Sequence, residues 1–251
     1  MSQMPHTAMV LAAGIGSRMR PLTEDTAKPL IEVNGKNLFD RMVDPLVAAG
    51  VQRIVVNVHW HADKVEAYVK ARTDVEVVIS DERDARLETG GGLAKARPLL
   101  GDDPIFVANT GAFWSPADAS VPAMMAAQFR PDEMDGLLLL ADTGRCLGFP
   151  GAGDFFLADD GRLTRRGDAI SAPWAYAGLR IIHPQAFDNE PIEAFSVLRK
   201  WDKSIQNDRL FGAKLDHFWL HVGTPNALKD AEMWLRCHGE EVSEEVDDAG
   251  H

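Results

Sequence analysis

Residues 9–30 read M-V-L-A-A-G-I-G-S-R-M-R-P-L-T-E-D-T-A-K-P-L. A short apolar run from Met9 to Ala13 ends in Gly14-Ile15-Gly16, and Arg18, Arg20 and Lys28 follow before Pro29. An apolar strand opening into a glycine turn presents backbone N–H groups to an anion. Three fixed cations within reach of that turn suit a polyphosphate. The bland alternative is a strand-to-helix turn carrying solvated basic residues. Two common phosphate motifs do not fit. The Walker pattern needs four residues between its glycines, whereas one separates Gly14 from Gly16. The dinucleotide fingerprint needs a third glycine where Met19 stands, which disfavours a redox cofactor.

Composition narrows the field further. The chain has 251 residues, 45% of them hydrophobic, enough to bury a sizeable core as one domain over residues 1–239. Its formal net charge of -12 leaves no basic surplus for nucleic acid. Against that acidic average, the positive charge around Gly14 is informative. Six acidic residues, Glu240, Glu241, Glu244, Glu245, Asp247 and Asp248, mark residues 240–251 as a solvated, disordered tail. Cys146 and Cys237 form no C-x-x-C pair, so neither a disulfide framework nor a zinc knuckle is expected. The amino terminus lacks a charged start followed by a long apolar core, and no run reaches a membrane span. A cytoplasmic chain without a membrane partner is expected.

Apolar runs alternate with helix-like stretches through the first half. Strands are expected at 8–13, 53–58, 75–80, 105–109 and 136–141. Helices are expected at 38–49, despite Pro45, and at 62–71, 91–100 and 121–129, with Thr89 capping the third. Such alternation implies right-handed crossovers and a parallel sheet covered on both faces, with its ligand beyond the carboxyl ends of the strands. The pattern then changes. Antiparallel strands are expected at 154–157, 163–166 and 176–182, joined by turns such as Asp160-Gly161. A helix at 195–205, a further strand pair through Phe218 and a last helix at 225–237 complete the reading.

The full string G-x-G-S-R-M-x-P-L-T followed by K-P-L closely resembles the signature of the sugar-1-phosphate nucleotidyltransferases. The resemblance extends from Met9 to Cys237 and implies a Rossmann-like, doubly wound α/β fold with a small antiparallel insertion on the sugar side. It implies that Ala12, Ala13, Gly14, Gly16 and Ser17 hold the nucleotide, with Arg18 on its β- and γ-phosphates. Lys28 would lie between the α-phosphate and the incoming sugar phosphate. The string Leu87-Glu88-Thr89-Gly90-Gly91-Gly92 resembles the base-reading loop of the uridylyltransferases that act on N-acetylmuramic acid 1-phosphate. There Glu88, Gly90 and Gly91 would let a flat base lie against the backbone. A plain helix start is the competing reading.

Two positions depart from the family. Its members show Asn-x-Asp after the fourth strand, the aspartate holding magnesium; here Asn109 matches but Gly111 stands in the aspartate's place. A second aspartate precedes a V-G-T-P string; here the string is Val222 to Pro225 and His221 precedes it. Magnesium favours oxygen ligands, whereas imidazole suits softer metals. His221 is therefore either a weak metal candidate or a core histidine. The loss implies slower turnover than in a Gly111→Asp variant. The resemblance implies Asn109, Asp154 and Gly178 as sugar-phosphate residues, although Asp154 reads equally well as a strand-start turn and Gly178 as a bulge. His59, Trp60 and His61 read as packing and capping residues.

The implied reaction joins a nucleoside triphosphate, UTP by the resemblance, to a sugar 1-phosphate, with magnesium as cofactor and pyrophosphate as product. The enzyme would be a monomer or a weak homo-oligomer. A mannose- or heptose-1-phosphate guanylyltransferase is the enzyme alternative. A binding protein with an impaired cleft is the alternative of another class, on the strength of Gly111 and His221.

Overall fold

The computed structural model describes residues 4–239, so the expected acidic tail lies outside the described residues. In chain order come β1 (Thr7–Leu11), the short strands β2 (Glu32–Val33) and β3 (Lys36–Asn37), and α1 (Leu38–Ala49). Next are β4 (Arg53–Val58), α2 (Ala62–Lys70), β5 (Glu76–Asp81), α3 (Glu88–Ala96), β6 (Ile105–Asn109), β7 (Ala112–Ser115) and α4 (Ser120–Gln128). The second half contributes β8 (Gly136–Asp142), β9 (Cys146–Leu147), the hairpin β10 (Phe155–Leu157) and β11 (Leu163–Arg165), and β12 (Trp174–Ile182). The last elements are α5 (Leu198–Gln206), β13 (Leu210–Lys214), β14 (Phe218–His221) and α6 (Pro225–Cys237). Among the described residues no helix is long and apolar enough to cross a membrane.

The main sheet is built outward from β1, with Met9 opposite Val55 of β4 on one side and Val107 of β6 on the other, both pairings parallel. β5 extends the β4 edge in parallel. Consecutive side chains of these strands enter opposite cores. Ala8, Val10, Ile54, Val56, Phe106 and Ala108 pack toward α1, α2 and α4. Met9, Val55, Ile105 and Val107 pack with Leu93 of α3 and Trp201 of α5. A strand buried on both faces must be apolar throughout, which is why these runs carry no polar alternation.

The helix boundaries follow local chemistry. Asn37 caps α1 by accepting from Asp40 N at 2.8 Å, and Gly50 ends it at φ 114°. Pro45 is tolerated inside α1 with its ring buried. Thr224 caps α6 by accepting from Ala227 N at 3.2 Å, with Pro225 at the first helical position, where a missing N–H costs nothing.

Four expectations need correction. The strand at Gly136–Asp142 does not join the parallel set directly, because β12 intervenes, antiparallel to both β6 and β8. The expected sugar-side insertion is thus partly the main sheet itself, and β10 pairs with β12 at Phe155 opposite Trp174. β13 and β14 do not pair with each other: β13 runs parallel to β8, and β14 lies between β7 and β9 in a separate three-stranded sheet. Thr89 caps nothing; it lies inside α3, where its hydroxyl accepts from Val197 N at 3.0 Å.

Candidate active site

At the carboxyl ends of β1, β4 and β6 a cleft of about 530 Å³ opens, lined by Leu11 to Gly14, Asn57 and Asn109 to Gly111. Arg18, Lys28, Glu88, Thr89 and His221 also border it. A smaller recess beside it is lined by Gly14 to Met19, Lys28, Arg86 and Gly223. A Cβ on Gly14 would meet nothing within 4 Å, so this residue fronts open space where a ligand can approach the backbone. Gly16 has a different reason to be glycine: its φ is 66°, and a Cβ there would fall 2.8 Å from Thr23. Thr23 fixes the same turn by donating to Gly16 O at 2.9 Å. Ala12 N is not free for an anion, because Asn57 Oδ1 accepts from it at 2.7 Å. Ser17 borders the recess only, and Arg20 borders neither space.

Lys28 leads a short 3₁₀ turn that packs against α1, and Pro29 behind it is buried. Burial, with Arg18 adding like-charge repulsion, lowers its ammonium pKa from 10.5 to about 8. A Cβ on Gly111 would fall 2.8 Å from Lys28 Nζ, so the amine occupies the space beside this residue. The β7–β14 ladder sets His221 opposite Ala112, and Val222 N donates to Gly111 O at 3.0 Å. The two positions where the family shows aspartates are therefore neighbours here.

His221 lies 3.1 Å from Gly148 O through Nδ1. That carbonyl can only accept, so Nδ1 carries the proton and Nε2 keeps its lone pair. Burial depresses the imidazole pKa, and Lys28 and Arg18 push it the same way. The ring is thus a neutral acceptor at the rim of the cleft. No group of three or more His, Cys, Asp or Glu side chains among the described residues is placed to hold a metal ion. With glycine, a neutral imidazole and an ammonium at this point, the residues do not fit a carboxylate-held magnesium ion.

The glycine-rich start of α3 differs from expectation. Gly90 N and Gly91 N donate to Phe195 O at 2.8 and 3.3 Å. A Cβ on Gly90 would lie 2.2 Å from the Phe195 ring, and one on Gly91 would lie 2.0 Å from Glu193 O. These two glycines admit the 193–195 segment, and neither lines the cleft. Glu88, at φ 58°, and Thr89 do line it. Beneath them the fully buried Glu82 accepts from Asn57 Nδ2 at 2.7 Å and from Leu87 N at 3.2 Å. Through Asn57, this carboxylate ties the β1 turn to the start of α3.

Of the three expected sugar residues, only Asn109 lines the cleft, and its buried Oδ1 has no hydrogen-bond partner among the described residues. Asp154 does not reach it, because its carboxylate accepts from Tyr176 N at 2.9 Å and so serves β12. Gly178, at φ 99°, lies inside a register shift between Tyr176 and Arg180 and faces Asn109; it is a bulge glycine behind the cleft wall. His59, Trp60 and His61 bond to the carbonyls of Glu82, Thr23 and Glu24, which holds the loop between Arg18 and Lys28. The sequence reading missed Asn57, Glu82, Arg86 and Ser196. Asn57 and Glu82, which close β4 and follow β5 on the ligand edge, were the findable pair.

The parallel strands thus bring a glycine turn and two cations, Arg18 and Lys28, to one cleft at their carboxyl edge. Residues 7–128 match the family model described as Nucleotidyl transferase, and the chain belongs to this family. It is 47% identical over 94% of its length to N-acetylmuramate alpha-1-phosphate uridylyltransferase of Caulobacter vibrioides, covering 99% of that protein. The same-named protein of Neisseria meningitidis serogroup B is 34% identical over 90% of this chain and 96% of its own. Among solved structures, the inositol-1-phosphate CTP transferase from T. maritima shares the fold with a TM-score of 0.76 and 17% identity, over 96% of this chain and 99% of its own.

Proposed function

We propose that this chain transfers a uridylyl group from UTP to N-acetylmuramate α-1-phosphate, giving the UDP-sugar and pyrophosphate, within a single domain. The observation that carries the reading is the convergence of Gly14, Arg18 and Lys28 on one cleft. Near-full-length similarity to two relatives bearing that name supports the substrates.

In this reading a sugar-phosphate oxygen attacks the α-phosphorus of UTP in line. The bond from the α-phosphorus to the bridging oxygen breaks, and pyrophosphate leaves with that electron pair. No covalent enzyme intermediate is needed; the work is alignment and charge neutralisation. Arg18 holds the β- and γ-phosphates with its planar fork. Lys28 lies between the two reacting phosphates and offsets their mutual repulsion. The base rests where Glu88 and Thr89 border the cleft, and Asn109 Oδ1 accepts from the sugar side. Gly111 and His221 offer a magnesium ion no carboxylate, and Arg18 and Lys28 carry the charge neutralisation at this corner. The test is pyrophosphate release from UTP and GTP, each with N-acetylmuramate α-1-phosphate and with mannose 1-phosphate. Release is expected with the first pair alone; faster release from GTP and mannose 1-phosphate would overturn the assignment.

A further inference from the structure

The loop between β5 and α3 carries two arginines with opposite fates. Arg83 is fully engaged: it contacts Asp63 at 2.7 Å, Glu66 at 2.6 Å and Asp81 at 2.6 Å. Arg86, three residues later, has no ion pair or hydrogen bond among the described residues. It is nevertheless the one residue of this loop that borders both the cleft and the recess around Gly14 to Met19. The loop beneath it is pinned, since Ala85 N donates to Glu82 O at 3.1 Å and Leu87 N to the buried Glu82 carboxylate at 3.2 Å.

An unpaired guanidinium on a fixed loop, in a chain with a net charge of -12, is conspicuous where nearby carboxylates have left it free. The opposite wall supplies a reason. Gly111 and His221 bring no negative charge to the phosphates' side, and the Lys28 amine fills the space beside Gly111. A triphosphate held without protein carboxylates and their ion needs its charge met by side chains. Arg18, Lys28 and Arg86 line the same recess.

We infer that Arg86 is a third cationic contact for the triphosphate, closing the recess over the β- and γ-phosphates from the base-side loop. The inference rests on the triphosphate reading of the cleft. Guanidinium contacts to phosphate are bidentate and charge-assisted, and the stem that reaches across stays solvated until the nucleotide arrives. Arg86 thereby adds to the neutralisation of the departing pyrophosphate.

The test compares UTP and UMP binding by calorimetry in Arg86→Ala, with Arg18→Ala in parallel. Arg86→Ala is expected to weaken UTP by about 10- to 100-fold, the size of one charge-assisted hydrogen bond, and to change UMP less than about twofold. Its melting temperature should match the wild type, because the side chain supports no contact, and Arg86→Lys should recover part of the loss. Unchanged UTP binding in Arg86→Ala, or an equal loss for UMP, overturns the role of Arg86. If Arg18→Ala also leaves UTP binding unchanged, the triphosphate reading itself has failed, and the two failures are thereby told apart.

Discussion

Lys28 shows how burial tunes a cation at the cleft. An ammonium held in low dielectric beside Arg18 prefers to lose its proton, hence a pKa of about 8 against 10.5 for the ordinary side chain. Between those two values the unfolded chain binds the extra proton, so this group's contribution to folding stability rises with pH from about 8 to 10.5. For function the sign is reversed, because the phosphates need the charged form. UTP affinity of the free enzyme is expected to hold up to about pH 8 and to fall above it, which binding titrations at fixed ionic strength measure. Lys28→Ala should reduce kcat by about 10²–10³, the range for losing one preorganised donor. Gly111→Asp is a sharper probe. Its Cβ would press on Lys28 Nζ at 2.8 Å, and its carboxylate would pair with the amine. Without a divalent ion this variant should bind UTP more weakly than the wild type, and with magnesium it should turn over faster. Equal UTP affinity of the two proteins in chelator would contradict the account of this corner.

At the scale of elements, Gly90 and Gly91 show where a motif and its cause part company. The L-E-T-G-G-G string is legible in the sequence, but its first two glycines receive a neighbouring segment more than a hundred positions away, at Glu193 and Phe195. No local pattern could reveal that contact. Gly90→Ala should therefore destabilise the fold by about 1–3 kcal/mol, as overpacking does, and lower the melting temperature before any effect on nucleotide is considered. A variant with wild-type melting and a raised KM for UTP would instead place the glycine at the base. The same distance problem explains other misses. Asn57 and Glu82 acquire meaning only through pairing across β1, β4 and β5. Arg83 and Arg86 look alike until α2 supplies Asp63 and Glu66 to one of them. By contrast α1, β4, β6 and α6 were legible to the residue, because apolar periodicity is a local signal.

For the whole molecule, the order of strands decides where chemistry can occur. A parallel set ends its strands on one edge, and the glycine turn after β1 lies there. The sequence revealed that edge but not the antiparallel β12 wedged between β6 and β8, because a strand's neighbours are not written in its own residues. Nor could composition reveal the three-stranded sheet that sets Gly111 beside His221. The molecule as a whole should respond to its proper nucleotide. UTP at about a hundred times its dissociation constant should stabilise the fold by about 2.7 kcal/mol, seen as a rise in melting temperature, and GTP at the same concentration by clearly less. An equal shift with both would remove the case for base selection at Glu88 and Thr89.

The most direct measurement is a calorimetric comparison of uridine, UMP and UTP binding to the wild type and to Arg18→Ala. A triphosphate tail gripped at the Gly14 turn predicts a steep rise in affinity from uridine through UMP to UTP, and a marked loss of the last step in the variant. Equal affinity for all three ligands, or an Arg18→Ala protein that binds UTP as the wild type does, would contradict it.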